Sequence, residues 1–146
     1  KDCLIKLGNV HFWKVAMKPG RPLTFGRIRE AIFFGLPGNP VSVMVTFYQF
    51  VQPALRRMMG EKQTESISYQ VPCVSKLKKR PGRVEYQRGI LERDETGRLV
   101  VRKTGDQGSG ILRSMSQANC FIILPMDSHG IDAGTMVEVQ PFFGLV

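Results

Sequence analysis

The stretch "FFGLPGNPVSVMV", residues 33–45, decides how this chain is read. Apolar residues run into Gly-Leu-Pro-Gly-Asn-Pro and resume at once. Two prolines and two glycines in six residues are strong punctuation. The preceding "AIFFGLP" reads as a short strand, uniformly apolar like one buried on both faces of a parallel sheet. Beyond the loop, Asn39 suits a helix N-cap and Pro40 the first helical position. Val41, Val45, Tyr48 and Val51 follow at helical spacing, joined by Met44, Phe47 and Leu55. Pro53 predicts a kink or short break. Arg56 and Arg57 favour the helix C-terminus, and Gly60 can close it in the left-handed conformation. Strand, tight loop and helix make half of an α/β unit. The loop itself reads either as a structural turn or as a cradle for an anion.

Upstream, "VHFWKVAMKPG" reads as a strand ending at Pro19-Gly20. Period-two alternation would put Lys14 and Lys18 on one face, about 13 Å apart at ~3.3 Å per residue. Downstream, "EKQTES" reads as a linker, and from Ile67 the pattern is mostly β. "SISYQVPCVSKL" is a strand broken or bent at Pro72. "RVEYQRGILERD" alternates up to Arg88-Gly89, where the glycine suggests a bulge. "DETG" is a hairpin turn and "RLVVRKT" the return strand. "GDQGSGILRSMSQAN" is a loop and a short helix with Ser109 at its N-cap, and "CFIILP" and "TMVEVQPF" are the last strands. Such a set predicts a small barrel or sandwich.

The 146 residues suffice for one ordinary domain or two small ones, and 42% hydrophobic against 23% charged residues is a globular composition. Apolar runs fall far short of a membrane span, and no secretory signal pattern is present. The start at Lys1 suggests a fragment, a processed product or a missing start. Cys3, Cys73 and Cys120 are odd in number and widely spaced, which fits reduced thiols in the cytoplasm. A net charge of +9 points to an anionic partner: nucleic acid, anionic lipid, a phosphorylated metabolite or a small oxyanion.

Chemistry has four candidate places. The loop of Pro37, Gly38, Asn39 and Pro40 exposes backbone N–H groups at a helix start, yet it is neither a P-loop nor a dinucleotide fingerprint, and its prolines remove two donors. Lys14 and Lys18 are either solvated charges or phosphate contacts at a strand end. Arg88 and Ser109 offer a planar guanidinium and a hydroxyl to an oxyanion, or are a surface arginine and a plain cap. "KLKKRPGR" packs five basic residues into eight and reads as a solvated loop or a nucleic-acid contact. His11 and His129 share no metal-ligand spacing, and no nucleophile–base arrangement stands out.

Taken in order, "WKVAMKPGRP", "FGLPGNPVS", "PGRVEYQRG" and "TGDQGSGILRSMSQAN" resemble the C-terminal part of the molybdopterin molybdenumtransferase (MoeA) family, whose eukaryotic relative is the gephyrin E domain. The resemblance covers essentially the whole chain. It implies the C-terminal part of a molybdopterin-binding α/β three-layer domain at residues 1–63, then a small β-barrel at 67–146. The implied activity is insertion of molybdate into adenylylated molybdopterin with hydrolysis of the adenylate, assisted by Mg2+, in a cytoplasmic homodimer. Contact with molybdopterin adenylyltransferase is implied too, and neither membrane nor nucleic acid is expected as a partner.

Residue by residue, the family's two active-site lysines fall on Lys14 and Lys18, its Pro-Gly-Asn-Pro loop on Pro37, Gly38, Asn39 and Pro40, its Q-R-G arginine on Arg88 and its G-S serine on Ser109. The resemblance places Pro37, Arg88 and Ser109 around molybdate, with no direct protein–metal ligand. The family's upstream Gly-Asp motif and acidic residues are not in this sequence. This chain alone is therefore expected to be inactive, with an incomplete sheet whose edge invites self-association. A gephyrin-like peptide-binding module and a basic nucleic-acid binder are the rival readings.

Overall fold

The computed structural model describes residues 6, 8–62, 66–108 and 112–143. The chain divides into two compact units, Lys1–Thr64 and Glu65–Val146. The first combines a small sheet with a long helical segment, and the second is mostly sheet.

In the first unit, β1 (Gly8–Lys14), β3 (Pro22–Ile28) and β4 (Ala31–Gly35) form a sheet in the order β1–β3–β4. Both pairings are antiparallel, so the parallel pairing expected for "AIFFGLP" is not formed among these strands. The reason is connectivity. Val15 N–H bonds Arg21 O at 2.8 Å, and Arg29-Glu30 alone separates β3 from β4. Strands joined by such short turns can only be antiparallel neighbours. Nor is β4 buried on both faces: Ala31 and Ile32 are exposed and Phe33–Gly35 half-buried.

The long strand expected over "VHFWKVAMKPG" is also interrupted. The first strand ends at Lys14, the chain bends at Ala16, and β2 is only Met17–Lys18. Lys14 and Lys18 thus sit on separate extended segments, and the straight-strand spacing between them does not apply. A cis Lys18–Pro19 bond and Gly20 at φ +96° follow. A Cβ on Gly20 would lie 2.7 Å from Thr46 Cγ2, so this loop packs on the helix only because residue 20 has no side chain.

That helix begins where expected. Asn39 holds the N-cap position at φ −79°, ψ 126°, and its carbonyl accepts Val43 N–H at 2.9 Å, although its side chain makes no capping bond. Helix α1 (Pro40–Thr46) passes into a π-helical turn, Phe47–Val51, and then α2 (Gln52–Met58). The π turn is the form taken by the break expected at Pro53. Proline offers no N–H to the carbonyl four residues back and its ring crowds that carbonyl. Widening the preceding turn, with Gln52 N–H bonded to Phe47 O, lets the helix continue. Val41, Val45, Tyr48 and Val51 are buried along one face, whereas Leu55 is exposed. At the end, Gly60 sits at φ +93°, with Gly60 N–H on Arg57 O at 3.1 Å and Glu61 N–H on Arg56 O at 3.0 Å, a Schellman closure.

In the second unit, strands run in the order β8 (Leu99–Lys103), β7 (Val84–Arg93), β9 (Cys120–Leu124), β11 (Met136–Pro141) and β5 (Tyr69–Pro72), all antiparallel. A small ribbon pairs β6 (Leu77–Lys78) with β10 (Gly130–Ile131), and α3 (Leu112–Gln117) precedes β9. The core is Val71, Cys73, Leu77, Val101, Cys120, Ile122, Leu124, Val137 and Val139. After Pro72 ends β5, Cys73 makes one parallel bridge to Val101, and Val74 N–H bonds Val101 O at 2.9 Å. The expected barrel is therefore a curled sheet tied at one point rather than closed by a full ladder.

The hairpin turn expected at "DETG" is present. Asp94 Oδ1 accepts N–H groups from Thr96 and Arg98, both at 2.9 Å, and Gly97 takes φ +81°. The bulge expected at Gly89 is not. Registers on both sides of β7 run through unbroken, Arg88↔Phe121 then Gly89↔Cys120, and Gly89↔Lys103. The glycine answers to crowding instead: a Cβ there would lie 2.8 Å from Ile122 Cγ1 and 3.0 Å from Cys120 Sγ.

Candidate functional site

Each unit holds its own candidate residues. In the first, Lys14 ends β1, opposite Pro22, and is exposed. It lines an apolar cleft of about 510 Å³ with Trp13, Leu23, Phe25, Phe34 and Phe50. Alternate residues of neighbouring strands build this wall. Ring centroids are 5.5 Å apart for His11–Trp13, 6.1 Å for Trp13–Phe25 and 5.0 Å for Phe25–Phe34. Lys18 is exposed on β2 and lies outside that lining.

The loop of Pro37, Gly38, Asn39 and Pro40 joins β4 to α1. Gly38 is exposed, and a Cβ built there would meet nothing within 4 Å. It is not among the residues of positive φ either. Neither packing nor backbone conformation therefore requires glycine at this position, unlike Gly20. What the missing side chain provides is open space beside a helix start, where N–H groups and the dipole favour anions.

In the second unit, Arg88 is the organising residue. It is 1% exposed. Its Nε–H donates to Ser114 Oγ at 3.1 Å, and Nη2 donates to Asp106 O at 3.2 Å and Gly108 O at 3.0 Å. Burial lowers the guanidinium pKa from its usual value, while the charges of Asp106 and Glu85 oppose that shift. A group with so high an intrinsic pKa stays charged all the same. The arrangement is a fixed cation beneath the glycine-rich loop after β8. Ser109 lies outside the described residues. Gln107, Asp106 and Ser114 surround Arg88 and were not singled out from the sequence. The one signal available was an amide residue in a glycine-rich loop just past a strand.

The basic run "KLKKRPGR" is not one free patch. Lys79 is 8% exposed, and its Nζ donates to Arg80 O at 3.3 Å, Met126 O at 3.1 Å and Ser128 O at 3.1 Å. Lys76 pairs with Asp132 at 2.7 Å. Among the described residues, no group of three or more His, Cys, Asp or Glu could hold a metal ion. No helix among these residues is long and apolar enough to cross a membrane.

A basic, mostly β chain that fixes a buried guanidinium under a glycine-rich loop is the class defined so far. Residues 70–142 match the model of the MoeA C-terminal region (domain IV), and residues 1–57 match that of a probable molybdopterin binding domain. The first match spans half of the chain, which belongs to the MoeA C-terminal region family. The chain is 43% identical over 143 residues to the molybdopterin molybdenumtransferase of Haemophilus influenzae, covering 97% of this chain and 35% of that protein. It is 39% identical over 162 residues to gephyrin of Dictyostelium discoideum, covering 94% of this chain and 22% of that one. Among solved structures, a molybdopterin biosynthesis MoeA protein of Pyrococcus horikoshii OT3 matches at TM-score 0.76 and 30% identity, over 92% of this chain and 33% of that one. The chain thus spans about a third of the length of the transferase it matches.

Proposed function

We propose that this chain is the part of a molybdenum-insertion enzyme that receives molybdate and the phosphate side of adenylylated molybdopterin. In this reading residues 1–63 are the end of the molybdopterin-binding α/β domain and 67–146 the C-terminal β domain. The carrying observation is the buried Arg88 guanidinium, held by the carbonyls of Asp106 and Gly108 beneath the loop that leads to Ser109. Such a fixed cation stabilises a dianion without reorganising when the anion arrives. In this reading Arg88 and Ser109 receive molybdate, as the family resemblance implies, while the dithiolene thiols displace oxygen, which leaves as water with the thiol protons. Lys14 and Lys18, with Gly38, Asn39 and Pro40, take the phosphates of the pterin nucleotide. Water then cleaves the adenylate and AMP leaves.

The assembled enzyme works as a cytoplasmic homodimer and takes its nucleotide from molybdopterin adenylyltransferase. Magnesium belongs to the family's chemistry as the resemblance implies it, and no step is assigned through it to the residues of this chain. No observation favours a peptide-binding or nucleic-acid role.

The test is a chimera in which this chain replaces the matching segment of the Haemophilus influenzae transferase. Lys14→Met and Lys18→Met should each raise the half-saturating nucleotide concentration about tenfold, as loss of a charged hydrogen bond does, and leave that for molybdate unchanged. Unchanged nucleotide binding in both variants would remove the lysines from this role.

A further inference from the structure

Strands β7 and β8 pair from Arg93↔Leu99 to Gly89↔Lys103, and Thr104 N–H adds one more bond, to Arg88 O at 3.0 Å. The chain then leaves the sheet. This departure would strand the N–H of Arg88 on the side that β8 has vacated, in a residue that is 1% exposed. The side-chain amide of Gln107 comes back to fill the place. Its Oε1 accepts Arg88 N–H at 2.8 Å. Its Nε2 lies 3.1 Å from Arg88 O, 3.0 Å from Thr104 O and 3.1 Å from Thr104 Oγ1. One face of the amide meets a donor and the other meets acceptors, so its orientation is determined by its neighbours.

The same three-residue segment grips Arg88 twice. Gln107 holds its backbone, while the carbonyls on either side of Gln107, those of Asp106 and Gly108, hold its guanidinium. We propose that Gln107 is a positioning residue for Arg88: it acts as a substitute strand that fixes where the Arg88 charge sits, and so sets the affinity for the oxyanion. The oxyanion part rests on the molybdate reading above. The positioning part rests on geometry alone.

Two variants separate these parts. Gln107→Ala removes both halves of the contact. Gln107→Glu keeps an acceptor for Arg88 N–H but turns an oxygen toward the carbonyl and hydroxyl oxygens of Arg88 and Thr104. In the 146-residue chain, the NMR signal of Arg88 Nε–H should lose at least about tenfold protection from exchange in each variant, while the amides of Ile122 and Val139 keep theirs. In the Haemophilus influenzae chimera, half-saturation by molybdate should rise about tenfold and that for the nucleotide should not move.

The proposal is overturned if Arg88 Nε–H stays equally protected in both variants. It is also overturned if that protection is lost only together with Ile122 and Val139, because Gln107 would then merely hold the fold. Should Arg88 respond as expected while the unmutated chimera binds no molybdate, the molybdate reading falls and the positioning of Arg88 by Gln107 is supported.

Discussion

The hydroxyl of Ser114 accepts the Nε–H of Arg88 at 3.1 Å, tying α3 to β7 across 26 residues of chain. Both groups are buried, Ser114 at 3% and Arg88 at 1% exposure. Ser114→Ala should cost about 1 kcal/mol, one hydrogen bond to a charged donor partly offset by relaxation. Arg88→Met should cost about 3 kcal/mol, because the carbonyls of Asp106 and Gly108 lose their donor in a dry place. Denaturant unfolding of the chain measures both. Equal, negligible effects would mean that Arg88 organises nothing.

Asn119 repeats on β7 the device that Gln107 uses. Its Oδ1 accepts Leu91 N–H at 2.7 Å and its Nδ2 donates to Leu91 O at 2.9 Å. These atoms are exposed, so water can replace them. Asn119→Ala should therefore cost only about 1 kcal/mol. The Leu91 amide should exchange faster with solvent while that of Ile122 does not, as hydrogen-exchange NMR will report.

Much of this was legible beforehand where local chemistry decides. Asp94 and Gly97 make a hairpin turn by themselves, and Arg56, Arg57 and Gly60 close a helix by themselves. Pro53 signalled trouble in the helix, though its form as a π turn depends on how the preceding residues can relax. What was not legible depends on partners distant in sequence. A uniformly apolar "AIFFG" is equally consistent with a parallel or an antiparallel neighbour, and only the hairpin to β3 settles it. Gly89 looks like a bulge until Ile122 and Cys120 are seen packed against it. At the candidate site Arg88 was visible as a type of residue. Its grip on Ser114 and the role of Gln107 require the fold to bring residues 88, 107 and 114 together.

Two glycines should respond in opposite ways. At Gly89 an added methyl meets Ile122 Cγ1 at 2.8 Å, so Gly89→Ala should destabilise by about 1–3 kcal/mol through overpacking. At Gly38 an added methyl meets nothing within 4 Å, so Gly38→Ala should leave stability unchanged or raise it by up to about 1 kcal/mol. Thermal unfolding of the two variants reads the contrast. If Gly38→Ala also destabilises, the loop is a structural turn rather than an open cradle.

Lys79 offers its buried ammonium to the carbonyls of Arg80, Met126 and Ser128. Lys79→Met keeps the length of the stem but withdraws every donor, and should cost about 2–3 kcal/mol. Unfolding free energies from denaturant titration of Lys79→Met and Lys78→Met, the second at an exposed position, should differ by that amount. Equal free energies would return "KLKKRPGR" to the status of a solvated basic loop.

Burial pushes the Cys120 thiol from 9.0 up to about 12. A raised folded pKa means that the unfolded chain releases this proton first as pH rises. The contribution to stability is complete below pH 9.0 and is lost progressively up to about pH 12. Burial raises the Cys73 thiol as well, in the same direction. Unfolding free energy should fall across this window, and Cys120→Ala should flatten the fall. A slope identical with and without Cys120 would assign the alkaline loss to other groups.

The most direct test of the molybdate reading is the release of AMP from adenylylated molybdopterin by the Haemophilus influenzae chimera carrying this chain, followed as molybdate is raised. The predicted result is AMP release that requires molybdate and saturates with it. A folded chimera that binds the nucleotide but releases AMP at a rate indifferent to molybdate, or not at all, would contradict the account.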